Sequence, residues 1–453
     1  MYALTNVLRP YAWGSTTAIA TLLGRAPSGA PEAELWLGAH PDSPSVAKLL
    51  DGPAKPLDTL IAGDPEGTLG PAVRAAFGDR LPFLVKILAA GSPLSLQVHP
   101  NLDQARAAFA AEEAAGVPHD APQRNYKDDN HKPEMILALT DFEALCGFRP
   151  VAGTRRILEH LLWCFDQAAA EPPAVLQDVF DLLAGPGVPA SGASAEPGVP
   201  ASGASAESGG PASGVSDASA VDAESDAIRA AFRRLIAGGE DVAAAVDAVV
   251  RLLRSGAPMG PYTPELSTVT GLAEAYPGDP GVLISLLLNR VSLVPGQAMY
   301  LPAGNIHAYL RGLGVEVMAS SDNVLRGGLT PKHVDVPELM KTVDFQALPV
   351  PLIQAQTTDL GQQLWVPPFR EFQLQRVEIE PGGAPVPLDQ HGPLVVIVVS
   401  GGAVLDSPRG DLPLDHGGSA FVPARESPVN LHAASGAKGT TVAFAVTVSS
   451  AAG

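Results

Sequence analysis

Residues 282–310 read VLISLLLNRVSLVPGQAMYLPAGNIHAYL, a series of short apolar runs broken by Pro295-Gly296 and Pro302. Runs of this length bounded by turn residues read as β-strands. The same punctuation recurs on both sides. Upstream lie YAWG and ELWLGAHPDSPSVAKLL within the first 50 residues, and LPFLVKILAA at 81–90. Downstream lie FQLQRVEIEPGG, PLVVIVVSGG and TVAFAVTVSS in the last hundred residues. Many short strands separated by Gly and Pro turns predict antiparallel sandwiches or jelly rolls rather than a parallel sheet.

Between these strand-rich parts the period changes. Residues 155–165, 175–183, 227–236 and 242–253 have helical spacing, with one more helical segment at 266–276. This block is expected to be a helical domain inserted into a β protein. It contains GVPASGASAE at 187–196, repeated at 198–207, with too little apolar content to bury; 187–220 is expected to be a disordered low-complexity loop. One echo suggests duplicated β units. GQAMYLPA at 296–303 aligns without gaps on GGSAFVPA at 417–424, and continuing the register sets Pro428 against His307.

A length of 453 residues allows two or three domains, each with its own core. The net charge of −19 argues against nucleic acid or an anionic membrane as partner. Cys146 and Cys164 form no CxxC pair, which favours a reducing, cytoplasmic setting. The N-terminus lacks a basic region followed by an apolar run, and no apolar stretch approaches the ~20 residues of a membrane span, so neither export nor membrane insertion is expected.

Chemistry concentrates in three stretches: SLQVH at 95–99, YKDDNHKPE at 126–134 and HAYLRGLGVEVMASSDNVLRGGLTPK at 307–332. In an extended strand Ser95, Gln97 and His99 share one face. Gln97, His99, Glu134 and His307 offer two imidazoles, a carboxylate and an amide oxygen, a set suited to Zn²⁺, with Mn²⁺ or Fe²⁺ possible on geometry. Spacing alone leaves His99 and His307 equally readable as core or loop histidines with satisfied hydrogen bonds. Pro133 pushes Lys132 to an extended conformation, so that Lys132 is expected to face a substrate while Glu134 faces a metal. Lys86, inside an apolar strand, either has a buried partner or snorkels from the strand end. Asp322-Asn323 before Arg326, followed by GGLTPK, reads as a tight loop whose charges and exposed backbone could form an anion site. GxGxxG, Walker A and GxSxG patterns are absent, so neither a nucleotide cofactor nor a serine nucleophile is indicated.

At these residues the chain resembles the type I phosphomannose isomerases. YKDDNHKPE fits that family's first signature, and residues 307–332 fit its second, with Gly327 where Ala is usual. The resemblance implies a catalytic cupin-like jelly-roll domain (1–150 with 262–342), an inserted helical domain (151–261) and a second cupin-like domain without a metal site (343–453). It implies one Zn²⁺ per chain held by Gln97, His99, Glu134 and His307. By the same matching, Arg326, Lys132, Asp322 and Glu316 fall at catalytic positions, and Ser95, Lys86, Lys332 and Tyr309 near the bound sugar phosphate. A cytoplasmic monomer is expected.

The implied reaction interconverts mannose 6-phosphate and fructose 6-phosphate through a cis-enediol. Arg326 is expected to stabilise the enediolate. Asp322, Lys132 and Glu316 compete for the role of base, with metal-bound water a further candidate. Lys86, Lys132, Arg326 and Lys332 compete for the phosphate. Two other readings remain at this point: an iron-dependent oxygenase, and a sugar-phosphate-binding protein without catalysis.

Overall fold

A computed structural model describes residues 1–49, 52–185, 215–436 and 439–450. It is mainly β-sheet, with twelve α-helices among the described residues. All strand pairs in the sheets are antiparallel, as the turn-rich sequence requires.

One strand organises the first half. His307–Ala319 is thirteen residues long, and it serves two layers. From Gly312 onward it lies between Phe83–Ala90 and Glu134–Ala138. Before that point it pairs with Phe142–Phe148, and His307 pairs with Gln97. The register slips between Tyr309 and Arg311, and Gly312 has φ 131°. A Cβ there would stand 2.6 Å from the Phe142 ring, so glycine is required where the strand changes partners. The same strand therefore carries His307 into one layer and Glu316 into the other.

The second large sheet is built from both ends of the chain. Its order runs Gln356–Thr357, Gln363–Trp365, Gln373–Ile379, Thr441–Thr447, Leu394–Ser400, Ser419–Val422, Tyr2–Thr5, Val46–Ala47 and Lys55–Pro56. Tyr2 pairs with Phe421 and Ala3 with Ala420, so a unit starting at 343 does not hold all the strands of its own sheet. The inner faces of the two sheets share a core that includes Leu37, Phe83, Val85, Val317, Trp365 and Phe444. The sequence echo lies on equivalent elements. Ala298–Leu301 and Ser419–Val422 each begin two residues after a glycine, Gly296 or Gly417, in the left-handed region.

The helices Val151–Gln167, Ala174–Leu182, Val215–Ile236, Glu240–Arg254 and Thr263–Ala275 pack around one core. Two expectations need correction here. The helical part continues past 261, through Thr263–Ala275 and Gly281–Ile284. Residues 282–287 are thus helical where apolar content alone suggested a strand, a known ambiguity of short apolar runs. Of the loop expected at 187–220, residues 187–214 lie outside the described residues, whereas 215–220 already belong to a helix.

Candidate active site

The site is assembled where three chain segments meet the long strand. His99 follows the two-residue strand Gln97–Val98, Glu134 opens the strand Glu134–Ala138, and His307 opens His307–Ala319. The ligand-type atoms of His99, Glu134 and His307 all lie within 4.8 Å of one another, and all three residues are buried. Gln97 is held next to His307 by strand pairing, and its other side pairs with Arg326.

Hydrogen bonding fixes both histidine tautomers. His99 Nδ1 donates to the Asn323 carbonyl at 2.7 Å, and His307 Nδ1 donates to the Asn305 carbonyl at 2.9 Å. Each ring therefore presents a lone pair on Nε2. Those two Nε2 atoms lie 3.4 and 3.3 Å from the Glu134 oxygens. Both nitrogens and Glu134 Oε2 are buried without a hydrogen-bond partner among the described residues. Three electron-rich atoms converging without a donor are costly to bury. A cation among them resolves the cost, and the N/O set with nitrogens free at Nε2 fits zinc.

Lys132 departs from expectation. Its Nζ lies 2.9 Å from Glu134 Oε1 and its side chain is buried. Residues i and i+2 of an extended chain point to the same side, so the two side chains meet and Pro133 faces away. Glu134 is held as a carboxylate: burial opposes ionisation, but Lys132 and the two histidines outweigh it.

Behind this group lies a second charged layer. Lys86 and Glu316 are cross-strand partners, with Nζ 3.1 Å from Glu316 and 3.4 Å from Glu34. Trp36 lies under the ammonium at 5.1 Å and donates its own N–H to Glu34 at 2.7 Å. Lys86 is 6 % exposed and Glu316 3 %. Burial works against the ammonium, yet Glu316, Glu34 and Glu134 together hold it above its ordinary range. Burial foremost, then the charge of Glu134, raises Glu316 despite Lys86. Tyr309 is fully buried against Phe142, and its hydroxyl makes no hydrogen bond among the described residues. Burial, then Glu316 and Glu134, raises the phenol.

In front lie the cations. Arg326 is half-buried and its guanidinium makes no hydrogen bond or ion pair among the described residues; burial lowers its pKa. Lys332 is lowered first by Arg326, then by burial and by Lys127, so three positive groups gather here. Ser95 is half-buried, and its hydroxyl has no partner among the described residues. Asp322 has no Lys or Arg partner among the described residues. It faces a cavity of about 290 Å³ whose lining includes His40, Lys127 and Asp128.

The backbone amides of the GGLTPK loop are already engaged, so its anion-binding capacity rests on the Lys332 side chain. Asp279 Oδ1 accepts the amides of Gly281 and Leu329 at 2.7 and 2.8 Å, and Oδ2 accepts that of Thr330. The anion held by this loop is a carboxylate of the protein. Sequence reasoning also missed Asn323, whose side chain is fully buried. Its Oδ1 accepts the Lys127 amide at 2.7 Å, and its Nδ2 donates to the carbonyls of Asp128 and Asn130. It joins two of the chemistry-rich stretches. A further signal was available in ELWLGAH: Glu34 among apolar residues of a buried strand and His40 just beyond it.

Residues 1–151 match the family model for the catalytic domain of type I phosphomannose isomerase. The chain is 38 % identical over 444 residues to mannose-6-phosphate isomerase of Escherichia coli K12, covering 95 % of this chain and 97 % of the relative. The structure resembles a crystal structure of a phosphomannose isomerase variant from Salmonella typhimurium, with TM-score 0.78, 34 % identity and 98 % of each chain covered. It also resembles a zinc-bound mannose 6-phosphate isomerase, with TM-score 0.77, 34 % identity and the same coverage.

Proposed function

We infer how the site works from the family it serves: the chain belongs to the type I phosphomannose isomerases, and it interconverts mannose 6-phosphate and fructose 6-phosphate through a cis-enediol. Zinc is its metal. The observation that carries this is the convergence of His99 Nε2, His307 Nε2 and Glu134 Oε2 without donors, in a chain alike over 95 % of its length to enzymes of this activity. The relatives favour neither the iron oxygenase nor the non-catalytic reading, since they are isomerases and zinc-bound structures of isomerases.

His99, Glu134 and His307 hold the ion, with Gln97 as fourth ligand; the pairing of Gln97 with His307 supports its inclusion. Bound there, zinc supplies a Lewis acid for the sugar's oxygens. Asp322 takes the proton from the carbon next to the carbonyl and returns it to the neighbouring carbon. Its half-buried carboxylate, without a Lys or Arg partner among the described residues, supports this, whereas Lys132 and Glu316 are both committed to buried ion pairs. Arg326 stabilises negative charge developing on the enediolate oxygen, a role supported by a guanidinium with no anion to neutralise it among the described residues. Lys332, with Lys127 beside it, receives the phosphate, and Ser95 a sugar hydroxyl. Lys132 fixes Glu134. Lys86, Glu316 and Tyr309 form the rear wall, with Lys86 balancing the carboxylates around it.

Two cupin-like jelly rolls flanking a helical unit account for the two large sheets, the four-stranded sheet of the C-terminal part and the repeated strand at 298–301 and 419–422. In this division the helical unit runs from 151 to about 287 and the N-terminal strand is lent to the second jelly roll. A cytoplasmic setting without nucleic-acid partners is supported by the acidic net charge and by the two free, buried cysteines, Cys146 and Cys164. No described helix is long and apolar enough to cross a membrane. The direct test is a coupled assay for fructose 6-phosphate formation from mannose 6-phosphate. Turnover abolished by chelator and restored by zinc is expected; no turnover in zinc-loaded enzyme would refute the assignment.

A further inference from the structure

One histidine that the metal group does not use lies against Asp322. His40 stands three residues beyond the strand Glu34–Leu37, is 4 % exposed and packs edge-on to Trp36 with ring centroids 5.1 Å apart. Its Nδ1 accepts the Asp42 backbone N–H at 3.3 Å. In the neutral ring that bond leaves the proton on Nε2, and Nε2 lies 3.4 Å from Asp322 Oδ2. This is the opposite tautomer to that of His99 and His307, which donate from Nδ1 and present Nε2 lone pairs.

We infer that His40 is a positioning residue for the isomerisation, its Nε2–H steadying one oxygen of the Asp322 carboxylate so that the other is aimed at the substrate's carbon-bound proton. The inference rests on the reading of Asp322 as the group that moves that proton.

His40, Asp42 and Asp322 also lie close enough to suggest a second metal group. The hydrogen bonds argue against it. One ring nitrogen is occupied by an amide donor and the other carries the proton, so no lone pair remains for an ion. Burial holds the imidazole below its ordinary pKa, partly opposed by Asp322 and Asp42; Lys86 and Asp128 are the other charged groups facing it. The ring is therefore neutral at working pH and acts as a directed donor. Its backbone is tied as well, the carbonyl accepting the Ser43 amide at 3.0 Å. At 3.4 Å the contact is longer than a formed N–H···O bond, a common state of catalytic contacts before substrate binds.

Two substitutions separate the donor from the space it fills. His40→Asn can still accept from the Asp42 amide but is too short to reach Asp322; His40→Gln can place a donor near the Nε2 position. In zinc-loaded enzyme, His40→Asn is expected to lower kcat about 10–100-fold with KM within about twofold, and His40→Gln to recover most of that loss. Zinc content and Tm should stay at the parental level. In an Asp322→Asn background, adding His40→Asn should change kcat less than about twofold, because the group it steadies is gone. Equal losses for Asn and Gln, the same loss in the Asp322→Asn background, parental kcat in His40→Asn, or loss of zinc with His40→Asn would each overturn the inference alone. Undiminished kcat in Asp322→Asn by itself would overturn the assignment of Asp322 and this inference with it.

Discussion

His99 hands its Nδ1 proton to the backbone carbonyl of Asn323, 2.7 Å away and 224 residues later in the chain. The residue that orients a metal ligand is thus the same one whose side chain fastens the loop before Glu134. Asn323 makes buried hydrogen bonds to Lys127, Asp128 and Asn130. Each buried group left unpaired costs about 1–3 kcal/mol. Asn323→Ala keeps the carbonyl but strands the Lys127 amide, so a loss of about 3 kcal/mol is expected in urea unfolding, together with weaker zinc retention on dialysis.

Zinc should behave as a stabilising ligand of the folded state. Saturation at a hundred times Kd adds about 2.7 kcal/mol, so chelation should lower Tm of the parent protein. His307→Ala, which removes a ligand from the group, should purify with little zinc and show almost no further fall in Tm with chelator. A variant that retains stoichiometric metal would remove His307 from the ligand set.

Arg326→Ala should reduce kcat about 10²–10³-fold, the scale expected for removing a donor aimed at developing negative charge. Zinc content should not change, since the guanidinium touches none of the ligand side chains through a hydrogen bond or ion pair. Metal analysis alongside steady-state kinetics distinguishes this from a structural collapse.

Replacing Lys86 by Met leaves Glu34 and Glu316 buried without their cation. Breaking a buried pair from one side costs about 3–5 kcal/mol. Lys86→Met is expected to fall in that range by chemical denaturation, and Lys86→Met with Glu316→Gln to regain a measurable part of it. Additive losses in the double variant would show that the two side chains are not coupled.

Burial lowers His99 to about 4, more than Glu134 raises it. A histidine whose folded pKa is depressed binds fewer protons folded than unfolded. Its contribution is present above the unfolded value near 6.5 and is lost as pH falls from there toward 4. Chelated protein should therefore lose about 1.4 kcal/mol per pH unit from this group below pH 6.5, read from Tm or urea midpoints at pH 7.5, 6.5 and 5.5.

What was legible in the sequence was what strands and helices encode locally. The apolar run at 81–90 holds the strand Phe83–Ala90, and the helical periods after 151 correspond to helices of the structure. The convergence of His99, Glu134 and His307 was reachable through the signatures at 126–134 and 307–332, since spacing alone left both histidines readable as core residues. Contacts formed by backbone groups were not. Nothing in the letters of GGLTPK says that its amides are taken by Asp279, and Asn323 looks like any loop asparagine until its carbonyl is seen on His99. Lys132 was misdirected by attention to the proline between it and Glu134, when the alternation of an extended chain already put the two on one side.

The corner at Gly312 has a mechanical consequence. Because a single unbroken strand bears His307 on one side of the bend and Glu316 on the other, the ligand group and the lysine-balanced charge layer are fixed to the two arms of one stiff lever. Any flexing of one layer against the other alters the spacing between metal ligands and rear charges, with Gly312 as the fulcrum. Even a methyl group at this bend would meet the Phe142 ring, so the geometry that relates the two arms depends on the bareness of one residue.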